Sequence, residues 1–257
     1  MRVEDIPFSW ARREVAYPGR LRRGARGRTV RMVQEWLTCQ RFPTAVDGDF
    51  GPATELALRD FQRRKALAVT GAVDENTFAT LVRPLMQALE PIDANGKGLP
   101  ALVLAYARRH VALHPVEVGG ENAGPWVRLY MQGREGVGWP WCAGFVTFLM
   151  KQACAYSAHR MPISGSPSCD SLAAQARSTG RFVSERDARA GALPAAACIF
   201  LVRRTPTDWM HTGLVSSFEA EAIRTLEGNT NDSGAREGFE AIARARGYAA
   251  KDYVSLE

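Results

Sequence analysis

No stretch of the chain stays apolar for the ~20 residues that a membrane-spanning helix needs, and none is of low complexity, so neither a membrane span nor a disordered tract is expected. Histidine is scarce, four residues in 257, which leaves few candidates for chemistry that needs an imidazole. The five cysteines, Cys39, Cys142, Cys154, Cys169 and Cys198, are odd in number and lack any CxxC spacing. That pattern suggests neither a disulfide framework nor a zinc site, and makes a small buried apolar residue the default for each. The first 19 residues hold Glu4, Asp5, Arg12 and Arg13 with no continuous apolar stretch, so no secretory leader is read there and synthesis in a cytoplasm is expected.

What is present is the composition of a folded protein. Hydrophobic residues make up 46% of the chain and charged residues 23%, and at this length two domains with separate cores are expected. The net charge of +6 is uneven, because Arg12, Arg13, Arg20, Arg22, Arg23, Arg26, Arg28 and Arg31 crowd the start. A basic surface attracts polyanions: nucleic acid, acidic lipid head groups and the anionic bacterial envelope are all admissible. The arginines alternate with Gly rather than with stacking aromatics, and no nucleic-acid motif accompanies them, so nucleic acid is not expected as a partner.

Residues 21–81 repeat themselves. Val33-Gln34 followed by Asp47-Gly48-Asp49-Phe50-Gly51-Pro52-Ala53-Thr54 is echoed by Phe61-Gln62 and Thr70-Gly71-Ala72-Val73-Asp74-Glu75-Asn76-Thr77. Val30, Val33, Trp36 and Leu37, and again Leu56, Ala57 and Phe61, recur at helical spacing, so each repeat reads as an amphipathic helix joined to a Gly-containing turn. In local terms Thr54 is expected to cap the helix after the first turn. The Asp47, Asp49, Gly51 order is not a calcium loop, because the twelfth position would be Leu58 and not a bidentate Glu. Gly24, Gly27, Gln34, Asp47, Gly48, Phe50, Gly51, Thr54, Phe61, Gln62, Gly71 and Thr77 together closely resemble the peptidoglycan-binding module found beside many wall-lytic enzymes, a small three-helix unit. The second turn departs from that pattern, with Thr70 in place of the usual Asp and Asp74 in place of the usual Gly.

Residues 90–98 are polar and rich in breakers, and a boundary is placed there. The division read from sequence is an N-terminal extension over 1–20, the three-helix module over 21–90, a linker over 91–98 and a second domain over 99–257. Residues 99–114 read as a helix. Its His110 and His114 stand four apart, but without the Glu of an HExxH pattern or a third ligand they are read as helix-end histidines, not a metal site. No cofactor or metal is expected.

Gly138-Trp139-Pro140-Trp141-Cys142 runs into a segment that lacks breakers after Gly144 and continues as a helix to about Cys154. Cys142 therefore stands at a helix N-terminus, where the helix dipole stabilises a thiolate and lowers the pKa from ~8.5 toward neutrality. The other four cysteines lack that setting. A Cys nucleophile needs a base, and beyond Cys142 only His159 and His211 remain. His159 follows the far end of the same helix, roughly 20 Å away, which leaves His211 at the start of a strand-like segment. The next strand, Leu226-Glu227-Gly228-Asn229-Thr230-Asn231, carries Glu227 and Asn229 two residues apart on one face, and either can orient the imidazole. Trp139, Trp141 and Trp209 flank these residues, and each is read either as lining a peptide or sugar groove or as packing in the core.

Glu121-Asn122-Ala123-Gly124-Pro125, Trp141-Cys142-Ala143-Gly144-Phe145-Val146, His211-Thr212-Gly213 and Glu227-Gly228-Asn229, in this order, resemble the CHAP family of cysteine, histidine-dependent amidohydrolases and peptidases. The pattern departs before His211, where the usual Gly-Asp pair is replaced near Ala197-Cys198. The resemblance implies an α+β chain with a papain-like domain, helices packed on an antiparallel sheet, and activity on amide bonds of bacterial cell-wall peptides. It assigns Cys142 as nucleophile, His211 as base, Glu227 as the orienting group and Asn229 as an active-site helper. The expected protein is a monomer that binds peptidoglycan, does not insert into membranes, and acts in the periplasm or wall after holin release or secretion-system delivery. It is thus a phage endolysin, or an injected effector that would have an immunity protein as partner. A non-catalytic wall-binding protein and a Cys/His acyltransferase are the alternatives.

Overall fold

A computed structural model describes residues 1–231 and 238–257. The described α-helices are α1 (Ser9–Val15), α2 (Arg28–Cys39), α3 (Pro52–Arg64), α4 (Glu75–Leu81), α5 (Arg83–Leu89), α6 (Leu99–Ala112), α7 (Pro125–Tyr130), α8 (Cys142–Ala155), α9 (Cys169–Ser178) and α10 (Glu185–Arg189). The strands are β1 (Phe182–Val183), β2 (Ile199–Thr205), β3 (Asp208–Phe218), β4 (Ile223–Thr230), β5 (Glu240–Arg246) and β6 (Lys251–Val254), so the chain is α+β. It divides into two packed units, Met1–Glu90 with Val116–Gly136, and Pro91–Pro115 with Val137–Glu257.

Each repeat of the first unit closes around one buried glutamine. Gln34 on α2 donates from Nε2 toward Asp47 Oδ1 (2.8 Å), Asp49 O (3.0 Å) and Thr54 Oγ1 (3.0 Å), and its Oε1 accepts from the Gly48 N–H (2.8 Å). Gln62 on α3 repeats this with Thr70 Oγ1 (3.2 Å), Ala72 O (2.9 Å), Thr77 Oγ1 (3.2 Å) and the Gly71 N–H (3.0 Å). Thr70 thus does the work of Asp47. Each side-chain oxygen accepts from the glutamine amide and from the backbone N–H two residues on, at 2.9 Å in the first turn and 3.2 Å in the second. Asp74, the other departure, caps α4 by accepting from the Thr77 N–H at 2.8 Å. Thr54 is not a cap: Gly51 holds that position, Pro52 opens α3, and the Thr54 hydroxyl is drawn inward by Gln34.

Residues 116–136, which the sequence division places downstream, pack within this first unit through α7. The physical reason is Arg128. Its guanidinium is buried and forms ion pairs with Glu14 of α1 (2.8 Å), Glu35 of α2 (2.7 Å) and Glu135 (2.7 Å), while Trp126 meets Trp36 edge-on at 6.2 Å. Three carboxylates around one fork satisfy charges that burial would otherwise make costly.

The second unit is built on one sheet in the order β1-β6-β2-β3-β4-β5, every neighbouring pair antiparallel. Helices α6, α8 and α9 pack on it. Most of α8 is buried, including Phe145, Val146, Phe148, Leu149 and Met150, as expected of a helix apolar around most of its circumference. A separate cluster of Cys198, Phe200, Val215, Ile223 and Tyr253 is closed by Ala188 of α10. Ala197, just before β2, sits at φ 68°, a left-handed conformation that costs an L side chain ~1 kcal/mol.

Two stability changes follow. Gln34→Ala or Gln62→Ala leaves a buried N–H and several acceptors unpaired, and each should cost about 2 kcal/mol in urea denaturation of the chain; a loss under ~0.5 kcal/mol would show that the glutamines do not hold the turns. Ala197→Gly should instead stabilise by about 0.5–1 kcal/mol, and destabilisation would contradict the strain assigned there.

Candidate active site

Cys142 is the first residue of α8, with Trp141 (φ −106°, ψ 13°) at the position before it; the first helical bond runs from the Phe145 N–H to Trp141 O at 2.8 Å. The N–H groups of the first turn have no intrahelical acceptor, and that of Ala143 turns to the Cys142 sulfur. His211 lies on β3 opposite Val202 of β2. Glu227 lies on β4, completely buried, and its Oε2 accepts from His211 Nε2 at 2.8 Å.

Two glycines make that meeting sterically feasible. A Cβ on Gly213 would come within 2.8 Å of both Glu227 Cγ and Phe200 Cε1, so the glycine leaves room for the Glu227 side chain. A Cβ on Gly228 would strike Trp141 at 2.7 Å and Phe145 at 2.8 Å, so its absence lets β4 approach the start of α8. The His-Thr-Gly and Glu-Gly-Asn motifs are thus spacing devices as well as carriers of polar groups.

The two candidates for orienting the imidazole are separated by backbone geometry. Asn229 adopts φ 55°, and its Oδ1 accepts from the Trp141 N–H at 3.2 Å. Its buried Nδ2 has no hydrogen-bond partner among the described residues. Glu227 holds the histidine; Asn229 holds the entry to α8.

Sequence reasoning missed three residues of this site. Arg246 on β5 forks onto Glu227, Nε to Oε1 and Nη2 to Oε2, both at 2.6 Å, and Thr225 donates to Oε1 at 2.5 Å. Cys169, the first residue of α9, puts its Sγ 3.9 Å from Cys142 Sγ. Arg246 is hard to find because its register with β4 is set by pairing across the sheet, and Cys169 because its helix start follows a Ser-rich loop. The alternating charged positions of β5 were the available signal for the arginine.

The electrostatics follow from these contacts. The Cys169 hydrogen bond holds the Cys142 thiol well below its ordinary range; burial opposes this, and His211 and the Ala143 N–H add to it. Burial alone would lower His211, but Cys142 and Glu227 outweigh it and raise the imidazole to about 9. Glu227 is lowered to about 2, because Arg246 and His211 overcome the opposing effect of burial. His211 Nε2 is committed to Glu227, and Nδ1, which has no hydrogen bond of full geometry, is the nitrogen left for the thiol. The arrangement can hold a thiolate–imidazolium pair at neutral pH. By contrast, burial pushes Cys39 and Cys198 up to about 12 and raises Cys154.

The remaining expected residues lie as follows. Trp141 is fully buried, edge-on to Phe145 at 6.5 Å. Trp209 is a core side chain whose Nε1 donates to Asp252 at 2.8 Å beneath the Arg177 guanidinium. Neither presents a groove wall, because both indoles are enclosed by packing; of the three tryptophans only Trp139 keeps partial exposure. His110 pairs with Gln152 at 3.0 Å, His114 with Glu240 at 2.6 Å and His159 with Lys97 O at 2.9 Å. Among the described residues no group of three or more His, Cys, Asp or Glu is placed to hold a metal, and no helix is long and apolar enough to cross a membrane.

Comparison with known proteins speaks to the first unit. Residues 26–81 match the family model of a putative peptidoglycan binding domain, which marks the chain as cell-wall-associated with peptidoglycan as a partner. A solved structure described as "The crystal structure of SleB N-terminal domain" is 36% identical, covering 27% of this chain and 96% of that chain, with a TM-score of 0.26. No curated protein matches the chain.

Iodoacetamide should alkylate Cys142 nearly as fast at pH 6 as at pH 8, whereas an ordinary thiol of pKa ~8.5 slows by nearly two orders of magnitude over that range. Arg246→Met should move the onset of alkylation upward by about one pH unit and destabilise the fold by about 3 kcal/mol. Because His211 is raised, its stabilising contribution is complete below ~6.5 and is lost as pH rises through about 9; because Glu227 is lowered, its contribution is present above ~4.5 and is lost as pH falls toward about 2. An alkylation profile like that of a free thiol would contradict the ion pair.

Proposed function

We propose that the protein is a peptidoglycan hydrolase that cuts an amide bond of the wall peptide through Cys142, with a papain-like catalytic domain of the CHAP type. The observation that carries this reading is the Cys142, His211, Glu227 arrangement in the same chain as a peptidoglycan-binding module. A thiolate at a helix start, an imidazole beside it and a buried carboxylate behind the imidazole make up the nucleophile, base and orienting group of acyl transfer.

In the proposed mechanism the Cys142 thiolate attacks the amide carbonyl, and the unsatisfied N–H groups of the first turn of α8 hold the oxyanion. The imidazolium of His211 then gives its proton to the departing amine, and on the return step takes one from the water that releases the acyl group. Glu227 keeps the imidazole in register and stabilises its charged form; Arg246 keeps Glu227 ionised. Asn229, fixed through Oδ1 to the Trp141 N–H, keeps a buried amide donor beside the nucleophile's helix start. Trp139, the partly exposed member of the aromatic set, is assigned to substrate contact.

The bond cut is either that between the lactyl group of muramic acid and L-alanine, making an N-acetylmuramoyl-L-alanine amidase, or one within the stem peptide, making an endopeptidase. The protein is assigned to the periplasm or wall as a phage endolysin or injected antibacterial effector. Mass spectrometry of digested sacculi reads the outcome: free stem peptides identify an amidase, and shortened stems still attached to glycan identify an endopeptidase. Cys142→Ser should reduce either release by at least a thousandfold, on the order seen when a catalytic nucleophile is removed, and leave sedimentation with sacculi unchanged. Equal release by variant and wild type would overturn the assignment.

A further inference from the structure

Beyond lowering the Cys142 thiol, the contact between Cys142 and Cys169 has no part in the acyl-transfer scheme. Both cysteines are the first residues of their helices, both are buried, and their sulfurs stand 3.9 Å apart. A disulfide needs ~2.05 Å between sulfurs, so each side chain has to move by only about 0.9 Å. The two thiols are chemically unequal. Cys142 faces His211 and is held toward the thiolate, whereas Cys169 is pushed well above its ordinary range, first by its hydrogen bond to Cys142, then by burial, and further by the adjoining Asp170.

We propose that Cys142 and Cys169 are a redox pair, in which Cys142 is the site of oxidation and Cys169 the resolving thiol, so that a peroxide closes a reversible disulfide across the site. In the first step Cys142 sulfur attacks a peroxide oxygen: an S–O bond forms, the O–O bond breaks, hydroxide leaves, and sulfur is oxidised by two electrons as the peroxide is reduced. In the second, Cys169 sulfur attacks Cys142 sulfur: the S–S bond forms, the S–O bond breaks, and the Cys169 proton leaves with the hydroxyl as water. With hydrogen peroxide the sum is two thiols and one peroxide giving one disulfide and two waters. The resolving thiol matters because a sulfenic acid without one proceeds to sulfinic and sulfonic acids, which ordinary thiols do not reverse. The other three cysteines are poor competitors, since burial raises all of them.

The inference rests on the reading of Cys142 as the activated thiol, but its readout needs no wall substrate. The full chain is treated with hydrogen peroxide, freed of excess peroxide with catalase, and measured by intact mass without alkylation and, on a separately alkylated portion, by non-reducing peptide mapping. Wild type should lose about 2 Da, yield a linked peptide pair containing Cys142 and Cys169, and return to the starting mass with dithiothreitol. Cys169→Ser, with Cys169→Ala as the second variant, should instead gain about 32 Da on Cys142, irreversibly. Stepwise oxygen addition to wild type without the linked pair, or linkage of a different pair, would overturn the proposal. Because these outcomes are masses, a disulfide that forms in a protein unable to release wall fragments would sink the hydrolase reading and leave the redox pair standing.

Discussion

Burying a carboxylate without exposed surface, as the second unit does with Glu227, is tolerable only if cations and donors meet it on every side, and much of the geometry of β3, β4 and β5 serves that requirement. Arg246 takes both oxygens in a planar fork, Thr225 donates to one and His211 to the other. Gly213 leaves the volume into which the Glu227 side chain leans. The energetic consequence is asymmetric: the assembled set adds modestly to stability, whereas removal of one member leaves an uncompensated charge. The chemical consequence is that the imidazole is fixed in orientation and biased toward its charged form, which in turn favours the Cys142 thiolate.

The first unit uses buried polarity differently. Gln34 and Gln62 each tie a turn to the helix before it, and Arg128 ties residues 116–136 to α1 and α2. Several side chains that define the binding-module motif, Gln34, Asp47, Thr54, Gln62 and Thr77, therefore direct their hydrogen bonds inward. They specify the scaffold. This explains how Thr70 can replace an aspartate: the position requires an acceptor oxygen near the backbone, and a hydroxyl supplies it.

How much of this was legible in the sequence depended on how local each feature is. The helix that Cys142 opens is written in the run without breakers after Gly144, and the helix-turn repeats are written in their period. The choice between Glu227 and Asn229 was not legible, because alternation puts both on one face, whereas Asn229 has a positive φ within a bulge of the β4–β5 pairing between Glu227 and Thr230. Arg246 reaches Glu227 through a cross-strand register, with Glu227 paired to Ile242. Cys169 meets Cys142 only because two helices start side by side. The placement of residues 116–136 depends on a partner at Glu14, more than a hundred residues away in sequence. Aromatic flanks misled in the opposite sense: Trp141 and Trp209 adjoin catalytic candidates in sequence yet belong to the core.

The central claim is that Cys142, made a thiolate by its neighbours, forms a covalent acyl intermediate with a wall peptide. The most direct measurement is an acid quench of the full chain during reaction with a purified muropeptide, followed by intact mass and peptide mapping. The account predicts a transient adduct of the acyl fragment on the peptide that contains Cys142. Turnover of the muropeptide with no adduct at any quench time, or with the adduct on another residue, would contradict it.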